Sequence, residues 1–138
     1  IDPEITVIGK PCPLFVPLVE EGWLHDPVTV EVAKRYLQEL KDKDVDTLIL
    51  GCTHYPLIRS TIREVMGEKV RLVNPAYETA LELKNLLQQT DMLSTGEQQE
   101  EIPYRFYVSD LADEFEEFAN SILPYDVERT QKIDIEKY

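Results

Sequence analysis

The sequence predicts an α/β fold with a largely parallel sheet flanked by helices, and three observations predict it. Short β-branched runs alternate with longer stretches whose apolar residues repeat at helical spacing. One of those runs is apolar on both faces, as strands buried in parallel sheets are. Gly, Pro and Asn mark the points where the period changes.

Taken in order, Ile5-Thr-Val-Ile8 reads as a first strand, stopped by Gly9 and the Pro11/Pro13 pair. Asp26-Pro27 has the form of an N-cap followed by proline in the first helical turn. Behind it Val28, Val32, Ala33, Tyr36, Leu37 and Leu40 share one helical face, running through to Lys43. Val45 and Thr47–Leu50 form the second strand. A turn over Gly51–Pro56 leads to a helix with Ile58, Ile62, Val65 and Met66 on one side and Gly67 at its end. Val70–Val73 is the third strand, closed by Asn74-Pro75. Ala80, Leu83, Leu86 and Leu87 mark the next helix. Residues 91–103 are polar and irregular and read as a loop or crossover. Tyr104–Val108 alternates like a strand, and Leu111, Phe115, Phe118, Ala119 and Ile122 make an amphipathic helix that Ser109-Asp110 is placed to cap. Ile133 and Ile135 suggest a last short strand.

Composition narrows the function. The 138 residues carry 14 Lys+Arg against 27 Asp+Glu, a net charge of −13, which argues against binding a phosphate backbone. No apolar run reaches the roughly 18 residues of a membrane span. Ile1–Glu4 has neither the basic start nor the apolar core of a secretory signal, and the chain starts without Met close to a strand. We therefore expect a piece of a longer protein whose N-terminal half lies elsewhere. Two cysteines, Cys12 and Cys52, do not make a disulfide framework, so the expected setting is a reducing cytoplasm with free thiols.

Ligands of open α/β sheets bind beyond the carboxyl ends of the strands, often at the next helix N-terminus. Leu48-Ile-Leu-Gly-Cys-Thr-His-Tyr-Pro-Leu57 sits at such a place. A free thiol titrates near about 8.5, and a helix N-terminus or nearby imidazolium lowers that value. Cys52 is thus a candidate base or nucleophile, His54 a candidate proton partner, and Thr53 a hydroxyl and amide suited to a substrate carboxylate or ammonium. Other readings of the same residues are a plain buried cysteine, half of a metal site, or a hydrolytic Cys–His pair. His25 and Cys12 supply no metal-ligand spacing. Cys12, between two prolines and ahead of Leu14, Phe15 and Val16, reads as structural. His25 reads as a loop residue, and Asn74, at the end of the third strand, is a secondary candidate for the same strand-end pocket. By themselves the residues support a thiol-bearing ligand pocket.

Gly51-Cys-Thr-His-Tyr-Pro-Leu57, behind Leu48–Leu50, resembles the second cysteine motif of glutamate racemases. Three further segments resemble the same family in the same order: Cys12–Gly22 upstream, Val73-Asn-Pro-Ala-Tyr-Glu-Thr-Ala80 downstream, and Phe106–Asp110 with Phe115 and Phe118 behind it. Together they cover nearly the whole chain. The resemblance implies one lobe of a two-lobed aspartate/glutamate racemase-like fold, with residues 1–80 in the C-terminal lobe and 81–138 returning to the N-terminal one. It implies interconversion of L- and D-glutamate for peptidoglycan, with no metal and no pyridoxal phosphate. Two cysteines on opposite faces of the α-carbon move the proton. Cys52 resembles the second of them, Thr53 a substrate contact and His54 the histidine that assists Cys52. Nothing here resembles the first cysteine, and Cys12 aligns elsewhere in the family pattern. The expected partners are therefore glutamate and a missing N-terminal half, with a homodimer left open and no nucleic acid or membrane. Asn74 stands where the family more often has aspartate. Alternatives are a related racemase or one-cysteine decarboxylase for another acidic substrate, and a non-catalytic module that binds acidic ligands.

Overall fold

The computed structural model describes residues 2–94, 105–110, 112–124, 127 and 130–137. The loop expected at 91–103 lies outside the described residues from 95 onward, as do Tyr104 and Leu111. The chain forms two compact units, Ile1–Leu93 and Ser94–Tyr138.

The first unit contains α1 (Phe15–Glu20), α2 (Pro27–Asp42), β1 (Thr47–Ile49), a 3₁₀ turn (Tyr55–Ile58), α3 (Arg59–Met66), β2 (Arg71–Val73) and α4 (Pro75–Gln89). Strands β1 and β2 pair in parallel, Thr47 opposite Arg71 and Ile49 opposite Val73. Helix α2 starts as expected, with the Asp26 carboxylate accepting from the Val28 N–H at 2.7 Å and Pro27 in the first turn. It packs Ala33, Leu37 and Leu40 into the core and lies against α3, and Lys41 donates to the Val65 carbonyl of α3 at 3.0 Å. Gly67 ends α3 at φ 84°, a conformation that suits glycine, and the Arg63 guanidinium holds the turn by donating to the Gly67 and Val70 carbonyls.

Three expectations change. Ile5–Ile8 forms no strand: a strand needs a hydrogen-bonded neighbour, and here Ile5 is 64% and Val7 86% exposed. Helix α1 was not expected, because Pro13 and Pro17 bracket its start. Proline is tolerated in a first turn, and Phe15 and Val19 then fall on one buried side. Beyond Pro56 the chain first makes the 3₁₀ turn, and the α-helix begins only at Arg59.

The second unit contains β3 (Tyr107–Val108), α5 (Ala112–Ile122), β4 (Gln131–Lys132) and a 3₁₀ turn (Ile135–Lys137). Strands β3 and β4 are parallel. The last strand thus lies two residues before the position expected for it, and Ile135 is in the turn. Among the described residues of this unit Ala119 and Val127 are the buried apolar ones, and Asn120 and Val127 exchange side-chain-to-backbone hydrogen bonds. With helices between parallel strands, the fold is α/β. Among the described residues no helix is long and apolar enough to cross a membrane.

Candidate active site

Strands β1 and β2 end side by side, Ile49 opposite Val73, and residues 51–54 follow directly from the end of β1. Leu50, buried, donates to the Val73 carbonyl at 2.9 Å. The Gly51 N–H then turns back to the Ile49 carbonyl at 3.0 Å, so Cys52 leaves the sheet at its carboxyl end. The loop is held from below. Tyr55 donates its N–H to the Cys52 carbonyl at 3.3 Å and its hydroxyl to the Cys12 carbonyl at 3.2 Å. Phe15 stands edge-on to Tyr55 at 5.3 Å and to Tyr36 at 5.5 Å, so α1, α2 and the loop share one aromatic cluster. Burial pushes the Tyr55 phenol above its usual range, with the neighbouring Cys12 adding to the shift.

On this support Cys52 is a free, half-buried thiol. Its Sγ lies 4.0 Å from His54 Nδ1, and the Thr53 hydroxyl lies 3.2 Å from the same nitrogen. The other ring nitrogen, Nε2, faces the Glu20 carboxylate at 3.4 Å. A neutral imidazole carries one donor and one acceptor nitrogen. With its proton on Nε2, toward Glu20, the ring presents Nδ1 as an acceptor to both the thiol and the hydroxyl. The arrangement can therefore take up a thiol proton and return it.

Sequence reasoning missed Glu20. It ends α1, the helix that the prolines concealed, although it lies within the Cys12–Gly22 segment. The expected helix N-terminus beside Cys52 is absent from the described residues: a four-residue 3₁₀ turn follows the motif, and the backbone dipole argument lapses there. Asn74 acts as the N-cap of α4, its side-chain oxygen accepting from the Ala76 N–H at 3.1 Å. His25 is an exposed loop residue with Ser60 Oγ at 3.5 Å from its Nδ1. Cys12 is 3% exposed, its Sγ 3.6 Å from the Lys10 carbonyl. Burial pushes that thiol above its ordinary range, against a smaller opposing pull from Lys10.

No family model matches the chain. A glutamate racemase from Thermoanaerobacter sp. (strain X514) is 45% identical over 138 residues, which is 100% of this chain and 51% of that protein. One from Bacillus cereus is 39% identical over 137 residues, 99% and 50% of the two chains. Among solved structures, glutamate racemase from Francisella tularensis in complex with D-glutamate superposes with a TM-score of 0.85 at 34% identity, covering 99% of this chain and 50% of that one. A Bacillus anthracis glutamate racemase isoform gives 0.85 at 33% identity, covering 97% and 49%. The chain spans about half the length of the curated relatives it matches. By sequence and by fold it is similar to glutamate racemases, along its whole length and about half of theirs.

Proposed function

We propose that this chain is the C-terminal half of a cofactor-independent glutamate racemase and carries one of its two proton-transferring cysteines. The observation behind this reading is a half-buried thiol at a strand's carboxyl end, 4.0 Å from an imidazole nitrogen, in a chain 45% identical to a glutamate racemase. In the proposed reaction the Cys52 thiolate removes the α-proton from one enantiomer and His54 assists by holding or returning the thiol proton. The electron pair stays on the substrate as a carbanion that neighbouring donors stabilise. A second thiol, supplied by the other half of the protein, protonates the opposite face. Thr53 is the proposed contact for the substrate's charged groups, and residues after about 80 are proposed to return to the other lobe. The solved Francisella relative contains D-glutamate, which supports an acidic amino acid as substrate. On this reading the product serves peptidoglycan synthesis in the cytoplasm.

The test compares the two cysteines in the complete protein by chiral chromatography of glutamate. Cys52→Ser is expected to lower racemisation by about a thousandfold, the scale of losing a positioned proton-transfer group. Cys12→Ala is expected to leave the rate within a few-fold, because that thiol is buried away from the loop's surface. Equal rates for wild type and Cys52→Ser would remove Cys52 from the chemistry.

A further inference from the structure

Among the described residues the buried polar side chains are Thr29 and Thr61, and both spend their hydroxyls on one short segment. Thr29 Oγ1 donates to the Trp23 carbonyl at 2.6 Å, and Thr61 Oγ1 donates to the Leu24 carbonyl at 2.8 Å. A threonine in a helix can turn its hydroxyl back on a carbonyl of its own preceding turn. Thr61, in the first turn of α3, instead reaches out to a residue far back in the chain. A hydroxyl that is itself buried has no water to turn to, so each of these bonds is a fixed anchor. What they anchor is the end of α1. That helix has six residues and buries Phe15 and Val19, too little to hold its direction alone. It ends at Gly22, φ 73°, where the Gly22 N–H bonds to the Val19 carbonyl and the Trp23 N–H to that of Leu18. These bonds make α1 and Trp23-Leu24 one piece, so whatever holds Leu24 also sets where Glu20 lies.

We propose that Thr61 is a positioning residue, which by holding the Leu24 carbonyl fixes the end of α1 and so keeps the Glu20 carboxylate on His54 Nε2. Glu20 needs such a hold. Its side chain is 59% exposed, so its place depends on where α1 ends rather than on packing around it, yet it stands 3.4 Å from the ring nitrogen. Thr61 is suited to supply the hold because it belongs to the same stretch of chain as the other partner. His54 leads directly into the 3₁₀ turn Tyr55–Ile58, and that turn leads directly into α3. One hydroxyl thus ties the segment carrying His54 to the segment carrying Glu20, and Thr29 supports the second of these from α2. The inference deepens the racemase reading, in which His54 serves the Cys52 thiol, but the contact that Thr61 maintains belongs to the chain whatever its reaction.

The test removes one hydroxyl. Thr61→Val keeps the branched shape and loses the donor, whereas Thr61→Ser keeps the donor. In the 138-residue chain, nitrogen NMR shifts of the His54 ring report which ring nitrogen carries the proton. Thr61→Val is expected to move them in the same direction as Glu20→Gln, which removes the carboxylate, and Thr61→Ser to leave them at the wild-type position. In the complete protein Thr61→Val is expected to lower kcat about fivefold with KM for glutamate within about twofold. Once Glu20→Gln is present, it is expected to lower kcat by less than about twofold more, because the two residues act on one contact. A general loosening of the fold would cost the same with and without the carboxylate, so full additivity overturns the proposal. Wild-type His54 shifts in Thr61→Val also overturn it, as does a Thr61→Ser variant as impaired as Thr61→Val. If Thr61→Val does not fold, Thr61→Ser and Thr61→Ala, which differ by that oxygen alone, carry the same comparison. Moved ring shifts in a protein whose complete form racemises nothing sustain the anchor and sink the racemase reading; racemisation with the ring shifts unmoved does the reverse.

Discussion

Among the contacts of His54, its two nitrogens divide the work: Nδ1 toward Cys52 and Thr53, Nε2 toward Glu20. A carboxylate on Nε2 favours the proton there and leaves Nδ1 to serve the thiol. Glu20→Gln keeps the size of that group and removes its charge. In the complete protein it is expected to lower kcat about tenfold with KM for glutamate nearly unchanged, because Glu20 acts through His54 rather than on substrate. A matching rise in KM would place Glu20 against the substrate instead. Cys52 and His54 were legible in the sequence because they are two residues apart at the end of an unmistakable strand. Glu20 was not, since its contact exists only once α1 folds across the loop. A second residue-scale case is Glu39, whose carboxyl is held down to about 2 by hydrogen bonds from Lys10 and then Lys43. A depressed carboxyl stabilises the fold above its ordinary value of 4.5, and that contribution is lost as pH falls from there toward about 2. The Lys10 partner is shifted up, so on the alkaline side the same pair weakens only as pH rises past 10.5. Acid titration of unfolding is expected to be shallower for Glu39→Gln than for wild type across pH 4.5 to 2, with the two curves parallel near neutrality.

At the scale of elements, the start of α2 and the end of α3 were legible, and the start of α4 was not. Asp26 and Asn74 both cap their helices with their side chains ahead of a proline, but Asn74 also ends a strand, and that is how its sequence reads. The two ends carry no glycine. Asp44 and Asp91 take up the left-handed conformation at φ 48° and 55°. The next N–H in each case, Val45 or Met92, bonds back across the last turn to Leu40 or Leu87. A side chain in that conformation costs on the order of 1 kcal/mol, which glycine avoids. Asp44→Gly is therefore expected to stabilise the chain by about 0.5–1 kcal/mol after its larger unfolded-state entropy is counted, read as a higher urea midpoint at unchanged slope. A lower midpoint would mean that the Asp44 side chain contributes something its backbone does not show. Strands follow a different rule. Thr47–Ile49 and Arg71–Val73 form where expected because each finds the other, whereas Ile5–Ile8 has the same composition and no neighbour. Strand propensity is a statement about fitting a sheet, and the sequence of one segment does not say whether the sheet is there.

On the scale of the whole molecule, surfaces that ought to be covered are not. Helix α4 buries none of its residues, and Tyr77, Leu81, Leu83 and Leu86 are between 43% and 65% exposed. Single exposed apolar residues are ordinary, but here they lie on both sides of one helix, Tyr77 and Leu81 on one and Leu83 and Leu86 on the other. On the proposed racemase reading, the chemistry is incomplete in the same sense. Inverting an α-carbon requires a proton to leave from one face and arrive at the other, hence two groups on opposite sides of the substrate. The sequence has two cysteines, and one of them is 3% exposed with its thiol pushed up by burial, which leaves Cys52 alone at the loop. On that reading the 138-residue chain by itself, given L-glutamate, is expected to form D-glutamate at no more than about a thousandth of the rate of the complete protein, since the second proton-transfer group would come from the other half. Chiral chromatography at matched concentrations of Cys52 measures this directly. Comparable inversion by the chain alone would show that the residues around Cys52 reach both faces of the substrate, and the two-thiol account would fall.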